Sequence, residues 1–155
     1  MTRSWAGLGR RPLFFGRAGR VSPSAPGAWI DEVREEVYFS RDGSRLFLFE
    51  SRDFKLLGRF NLMNAAAAAA AAIAMGVDPA NVRQAVRDFK AVEHRLEFVP
   101  SHASVDYFND SIATTPESTL AALEALGPNV VVICGGSSKG CSFHHLGQAL
   151  FRRAR

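Results

Sequence analysis

Apolar and polar positions change rhythm several times along the chain, and each rhythm predicts an element. Val37-Tyr38-Phe39 and Leu46-Phe47-Leu48-Phe49 are β-prone runs on either side of Arg41-Asp42-Gly43-Ser44. A short Asp-Gly connection between such runs predicts a hairpin at the edge of an antiparallel sheet. The rhythm then turns helical. The stretch from Asn61 to Met75 contains eight consecutive alanines, Ala65 to Ala72, and predicts a helix capped by Asn61 and stopped by Gly76. Alanine loses no side-chain entropy in a helix and lets a neighbouring backbone approach closely. Asp78 and Pro79 then supply an N-cap and a first helical residue. In this second helix Val82, Ala85, Val86 and Phe89 are spaced i, i+3, i+4, i+7, which predicts one buried stripe.

Beyond Phe89 the pattern changes again. Leu96 to Val99 and Val105 to Phe108 predict two strands around the turn Ser101-His102-Ala103-Ser104. Thr115-Pro116-Glu117 opens a helix with Leu120, Leu123 and Leu126 facing inward and Gly127-Pro128 at its end. Val130 to Cys134 is a continuous, mostly β-branched run, the signature of a parallel strand buried on both faces. A last helix is expected from about 142 to 152. Strand, helix, strand, helix is α/β architecture with a right-handed crossover, and one complete β-α-β unit fits here. Residues 1–30, rich in Gly, Arg and Pro, read as irregular around one apolar run, Leu13 to Phe15, and the loop Ser22 to Gly27.

Composition narrows the class. The 155 residues are 47% hydrophobic and 22% charged, ordinary globular usage that argues against disorder and a coiled coil. The formal net charge of +4 comes from 19 Lys+Arg against 15 Asp+Glu. Only Lys55, Lys90 and Lys139 are lysines; the arginines are dispersed and no aromatic-rich strand motif joins them, so no nucleic-acid partner is expected. Cys134 and Cys141 lack metal-ligand spacing and are too few for a disulfide scaffold. The uncharged run from Ala65 to Met75 is about half of what crosses a bilayer, and no signal peptide is evident. A cytoplasmic protein without a membrane partner is the expectation.

Several short segments carry polar groups suited to ligands. Gly135-Gly136-Ser137-Ser138-Lys139-Gly140 follows the predicted parallel strand, where open α/β sheets place ligands. It is not a Walker A loop, because Lys139 precedes Gly140 and no Ser or Thr follows the lysine. A tight turn with a solvated lysine explains it equally well. Asp110 suits sugar hydroxyls and Thr114 a carboxylate, although Asp110 and Ser111 also suit loop backbone groups. Arg95 suits a phosphate or an ion pair. Asn61 and Asn64 offer carboxamides that match an adenine edge, although Asn61 is also a natural helix cap.

Their order is more specific than any one of them. Gly58-Arg59-Phe60-Asn61-Leu62-Met63-Asn64, His94-Arg95-Leu96-Glu97, Asn109-Asp110-Ser111-Ile112-Ala113-Thr114 and Gly135-Gly136-Ser137-Ser138-Lys139-Gly140 together resemble the Mur ligase superfamily. Within it they are most similar to the branch that joins D-glutamate to UDP-N-acetylmuramoyl-L-alanine. The resemblance implies that Asn61 and Asn64 contact adenine, Arg95 the ATP phosphates and Asp110 the ribose. It assigns D-glutamate to Ser111, Thr114 and Lys139. It implies ATP and Mg²⁺ for the complete enzyme, a monomer, and an acyl-phosphate intermediate attacked by the amine of D-glutamate. Other amide ligases of the superfamily, folylpolyglutamate synthase among them, remain open.

Phe60, Ile112 and Ser138 depart from the pattern, replacing a histidine, a lysine and an acid. The chain also contains no P-loop motif. Phosphoryl transfer rests on positioning and phosphate clamps, so the chain alone is expected to be an inactive fragment with no catalytic residue of its own. The resemblance places residues 1–93 at the end of a Mur-ligase ATPase domain and 94–155 at the start of a partial Rossmann-like C-terminal ligase domain.

Overall fold

The computed structural model describes residues 12–19 and 25–155. The readings for residues 1–11 and for residues 22–24 of the expected loop lie outside them. The chain forms two compact units. The first holds the described residues up to Lys55 together with Asn61–Phe89, and the second holds Leu56–Phe60 and Lys90–Arg155.

The first unit is a four-stranded sheet in the order β1 (Phe14–Arg17), β2 (Gly27–Asp31), β3 (Glu36–Arg41) and β4 (Ser44–Glu50). β1 runs parallel to β2, and the other pairs are antiparallel. The expected hairpin is β3–β4. Asp42 and Gly43 form its two-residue turn with φ of 52° and 79°, the left-handed pair that matches strand twist. β1 and β2 were not anticipated. Ala28 and Ile30 of β2 lie opposite Phe39 and Val37 on one face, while Trp29 lies opposite Tyr38 on the other. All six are buried, so no polar alternation marked the strand. Gly27 is required at its start, because a Cβ there would lie 1.9 Å from the carbonyl oxygen of Phe14.

Two helices complete this unit, α1 (Arg59–Ala74), from Asn61 onward, and α2 (Pro79–Asp88). Ala66, Ala69 and Ala70 of α1, at i, i+3, i+4, join Ile30, Val37, Phe39, Leu48 and Phe49 in one core with Val82 and Val86 of α2. α1 starts at Arg59 and not after Asn61, which corrects the expected cap. Gly58, at φ 91°, makes the turn into the helix earlier and leaves Asn61 buried inside the first turn. The stop is as expected: Gly76 N–H donates to Ile73 O and Val77 N–H to Ala72 O, both at 3.0 Å, with Gly76 left-handed. Asp78 caps α2 by accepting from Ala80 N–H at 2.7 Å. The α2 stripe is narrower than expected, since Ala85 and Phe89 are exposed. Arg83 Nε–H donates to Leu48 O at 3.1 Å and Arg87 Nε–H to Asp53 at 3.0 Å, fastening α2 to the sheet edge.

The second unit pairs β5 (Glu97–His102) with β6 (Val105–Asn109) through an Ala103-Ser104 turn, again with two left-handed residues. α3 (Pro116–Leu126) is capped by Thr115, whose hydroxyl accepts from Ser118 N–H at 3.3 Å. Leu123 of α3 and Leu146 of α4 (His144–Arg153) are buried, and Arg153 donates to Leu123 O at 3.3 Å. Leu120 and Leu126 are only half-buried.

The expected parallel strand at Val130–Cys134 is absent. Val130 alone makes a bridge, to Ala154, through Asn129 N–H to Arg153 O at 3.0 Å and Arg155 N–H to Val130 O at 2.9 Å. Val131 and Ile133 are 78% and 98% exposed. A β-branched run becomes a buried strand only with ladders beside it and cover on both faces. No second strand supplies them among the described residues, so the expected β-α-β crossover does not form there. The architecture is mixed α/β.

Candidate functional site

The segment joining α2 to β5 ends in a strained turn. His94 and Leu96 are left-handed, with φ of 64° and 45°, and they flank the exposed Arg95. Neither is a glycine, and such conformations persist only where surrounding contacts enforce them. Glu97 accepts from His94 N–H at 2.8 Å, and Asp110 Oδ1 accepts from Leu96 N–H at 3.0 Å. Ile112 N–H donates to His94 O at 3.3 Å. Two of the motifs read from the sequence, His-Arg-x-Glu and Asn-Asp-Ser, are thus bonded to each other. His94, Glu97 and Asn109 carry no sequence signal of these roles beyond their membership of those motifs.

A cleft of about 780 Å³ opens beside this turn within the second unit. Asp110, Ser111, Thr114 and Lys139 all line it. They arrive from two directions. The loop after β6 carries Asp110 to Thr114 up to the start of α3, and its backbone is shaped by Ala113 N–H donating to Asp110 O at 2.9 Å. The loop before α4 carries Lys139, with Gly136, Lys139 and Gly140 all left-handed and Cys141 N–H donating to Ser138 O at 2.9 Å. Lys139, the hydroxyls of Ser111 and Thr114 and the N-terminus of α3 thus line one cleft, a combination that suits a carboxylate. Asp110 spends one oxygen on Leu96, leaving the other for a hydroxyl donor.

Other candidates stand apart. Arg95 sits on the strained turn next to Leu96, which lines the cleft. Asn61 and Asn64 belong to α1 in the first unit, Asn61 buried and Asn64 exposed. Cys134 and Cys141, both exposed thiols, line the cleft on either side of the Lys139 loop. Among the described residues no group of three or more His, Cys, Asp or Glu side chains is placed to hold a metal ion. None of their helices is long and apolar enough to cross a membrane.

No family model matches the chain. Curated relatives do. The UDP-N-acetylmuramoylalanine–D-glutamate ligase of Pelotomaculum thermopropionicum is 37% identical over 150 residues, which is 97% of this chain and 32% of the relative. The chain belongs to the Mur ligase family. The corresponding ligase of Solibacter usitatus is 44% identical over 118 residues, 73% of this chain and 27% of that protein. This Mur ligase chain therefore spans between about a quarter and a third of the length of these relatives. The crystal structure of MurF from Acinetobacter baumannii aligns with a TM-score of 0.51 at 23% identity, covering 64% of this chain and 22% of that one. That likeness concerns the fold, a Mur-ligase α/β fold.

Proposed function

We propose that this Mur ligase chain serves the ATP-dependent joining of D-glutamate to UDP-N-acetylmuramoylalanine. The observation that carries the reading is the 37% identity sustained over 97% of the chain to a ligase of that name. On this reading the stretch up to residue 93 is the end of a central ATP-binding domain, and residues 94–155 begin the ligase C-terminal domain. The protein is cytoplasmic and monomeric, and its partners are small molecules.

In the reaction, the γ-phosphoryl group of ATP passes to the UDP-N-acetylmuramoylalanine carboxylate, giving ADP and an acyl phosphate. The amine of D-glutamate attacks the acyl carbon, an amide forms, and phosphate and a proton leave. The residues of this chain bind and orient and do not make or break bonds. Thr114, Ser111 and Lys139 hold D-glutamate by its carboxylates, which leaves the amine as the part free to react. Asp110 accepts from the ribose hydroxyls, and Arg95 meets the phosphates as a bidentate donor. Asn61 and Asn64 are the adenine-contacting candidates of the first unit. The described residues offer no cluster fitted to Mg²⁺, so no step is assigned through it.

The test is a titration of ¹⁵N-labelled chain with D-glutamate, and with L-glutamate and D-alanine as controls. Shifts at Ser111, Thr114 and Lys139 that D-glutamate produces and the controls do not, and that Lys139→Ala removes, are expected. Equal response to D- and L-glutamate, or none, refutes the assignment of D-glutamate to this cleft.

A further inference from the structure

Asn109 closes the brace under the strained turn, and its geometry determines more than its own orientation. Its Oδ1 accepts from Ser111 N–H at 3.1 Å. Its Nδ2 lies 2.8 Å from His94 Nδ1 and 3.5 Å from Glu97 Oε2. The Ser111 N–H and the Glu97 carboxylate agree on which end of the amide is which, because a donor needs the oxygen and an acceptor needs the nitrogen. With Nδ2 facing the ring, His94 Nδ1 must be the acceptor, since two N–H groups cannot bond to each other. The imidazole is then neutral and carries its proton on Nε2.

We infer that Asn109 is a positioning residue that holds His94 as the neutral Nε2–H tautomer and thereby locks the Arg95 turn onto the Asp110 loop. The brace has three bonds from side chains of β5, β6 and the loop after β6. Glu97 takes the His94 N–H, Asp110 takes the Leu96 N–H, and Asn109 takes the His94 ring. Glu97 also approaches His94 Nδ1 to 3.5 Å, the alternative partner if the ring gains a proton. Asn109 selects against that alternative by filling the Nδ1 position with a donor. The consequence for ligands is that His94 presents an Nε2–H donor from the residue next to Arg95. Its use toward nucleotide phosphates rests on the function proposed above; the tautomer does not.

The experiment reads His94 in ¹⁵N-labelled full chain by the long-range couplings and shifts of its ring nitrogens, at about pH 8, above the ordinary imidazole range. The parent chain is expected to show a protonated Nε2 and an unprotonated Nδ1. Asn109→Asp keeps the acceptor for Ser111 and turns the donor at Nδ1 into an acceptor, so it is expected to move the proton onto Nδ1. Amide exchange of His94, Arg95 and Leu96 is expected to quicken at least several-fold in Asn109→Ala. A parent ring protonated at Nδ1 overturns the inference without any variant, whether or not the variants fold. An unchanged tautomer in folded Asn109→Asp overturns it as well. Adding ATP separates the two readings: a correct tautomer with no nucleotide response at His94 or Arg95 leaves the brace standing and removes the proposed ATP role.

Discussion

Replacing Asp110 separates its part in folding from its part in binding. Its Oδ1 accepts from the N–H of Leu96 at 3.0 Å, and Leu96 is 6% exposed and left-handed. Asp110→Ala leaves that buried donor without its partner, which costs about 1–3 kcal/mol. A middle value of about 2 kcal/mol corresponds to roughly 30-fold easier opening of the turn. Asp110→Asn keeps an oxygen in place but loses the charge, and a charge-assisted bond is about twice as strong as a neutral one. It should therefore lose about half as much, roughly 1 kcal/mol, or about 5-fold in opening. Native-state hydrogen exchange at the amides of Arg95, Leu96 and Glu97 reads these factors directly, with Val37 and Phe39 of the first unit as unchanged internal references. Unaltered protection at Leu96 in Asp110→Ala refutes the reasoning, and so does an Asn variant as labile as the Ala variant. If Asp110 also receives ribose hydroxyls, Asp110→Asn weakens nucleotide binding by more than its small effect on the turn accounts for.

Three further outcomes test the first unit. Gly27→Ala should abolish the β1–β2 pairing, because the new Cβ would meet Phe14 backbone atoms at 1.9 to 2.8 Å; loss of slow exchange at Ala18 N–H, which donates to Ile30 O, is the readout. Phe49→Ala removes a fully buried ring from the core and should cost about 3–5 kcal/mol by denaturant unfolding. Acid should weaken the first unit. The hydrogen bond from Arg45, with backbone donors, holds the Asp31 carboxyl below its ordinary 3.8. Burial pushes Asp53 up, but its bonds from Arg87 and the Glu50 N–H outweigh that and leave it lowered too. A depressed folded value means stability that is present above 3.8 and is lost as pH falls from there through the lower folded values. Arg87→Met should flatten the Asp53 share of that loss in a pH series of unfolding midpoints.

The legible parts of this fold are those whose signals are local. The β3–β4 turn, the Gly76 stop and the Asp78 and Thr115 caps each depend on a few adjacent residues, and each forms as read. What was misread depends on distant partners. β2 escaped notice because Trp29 is buried against one face and Ile30 against the other, so its polarity does not alternate. Val130–Cys134 drew the opposite error: its composition suits a buried strand, but a strand is made by its neighbours, and only Val130 has one. The candidate site divides the same way. Ser111, Thr114 and Lys139 stood out as polar groups in loops, and their shared cleft is a product of how α3 and α4 pack. The bracing of Arg95 by Asn109, Glu97 and Asp110 was invisible, since it joins residues up to 15 positions apart through side-chain hydrogen bonds.

Two of the three departures from the motif pattern, Ile112 and Ser138, lie on the loops that line the cleft and bear on whether it retains its shape, while Phe60 lies at the start of α1. At each of them the local contact comes from the backbone or from apolar packing, and not from the polar side chain the pattern would supply. Ile112 gives its N–H to His94 O, and its side chain is 46% exposed, so losing a lysine there leaves the brace intact. Ser138 contributes its carbonyl to Cys141 N–H, a bond any residue makes, and the left-handed turn at Lys139 and Gly140 follows from it. Phe60 lies so close to Gly58 that a Cβ on the glycine would meet the ring at 2.6 Å, so with this ring in place the left-handed start of α1 needs glycine. The departures should therefore alter ligand affinity while leaving the loop geometry unchanged. Restoring Ile112→Lys and Ser138→Asp together discriminates: tighter D-glutamate binding with unchanged amide exchange at Leu96 and Cys141 fits this division, and a change in the exchange shows that the side chains shape the loops after all.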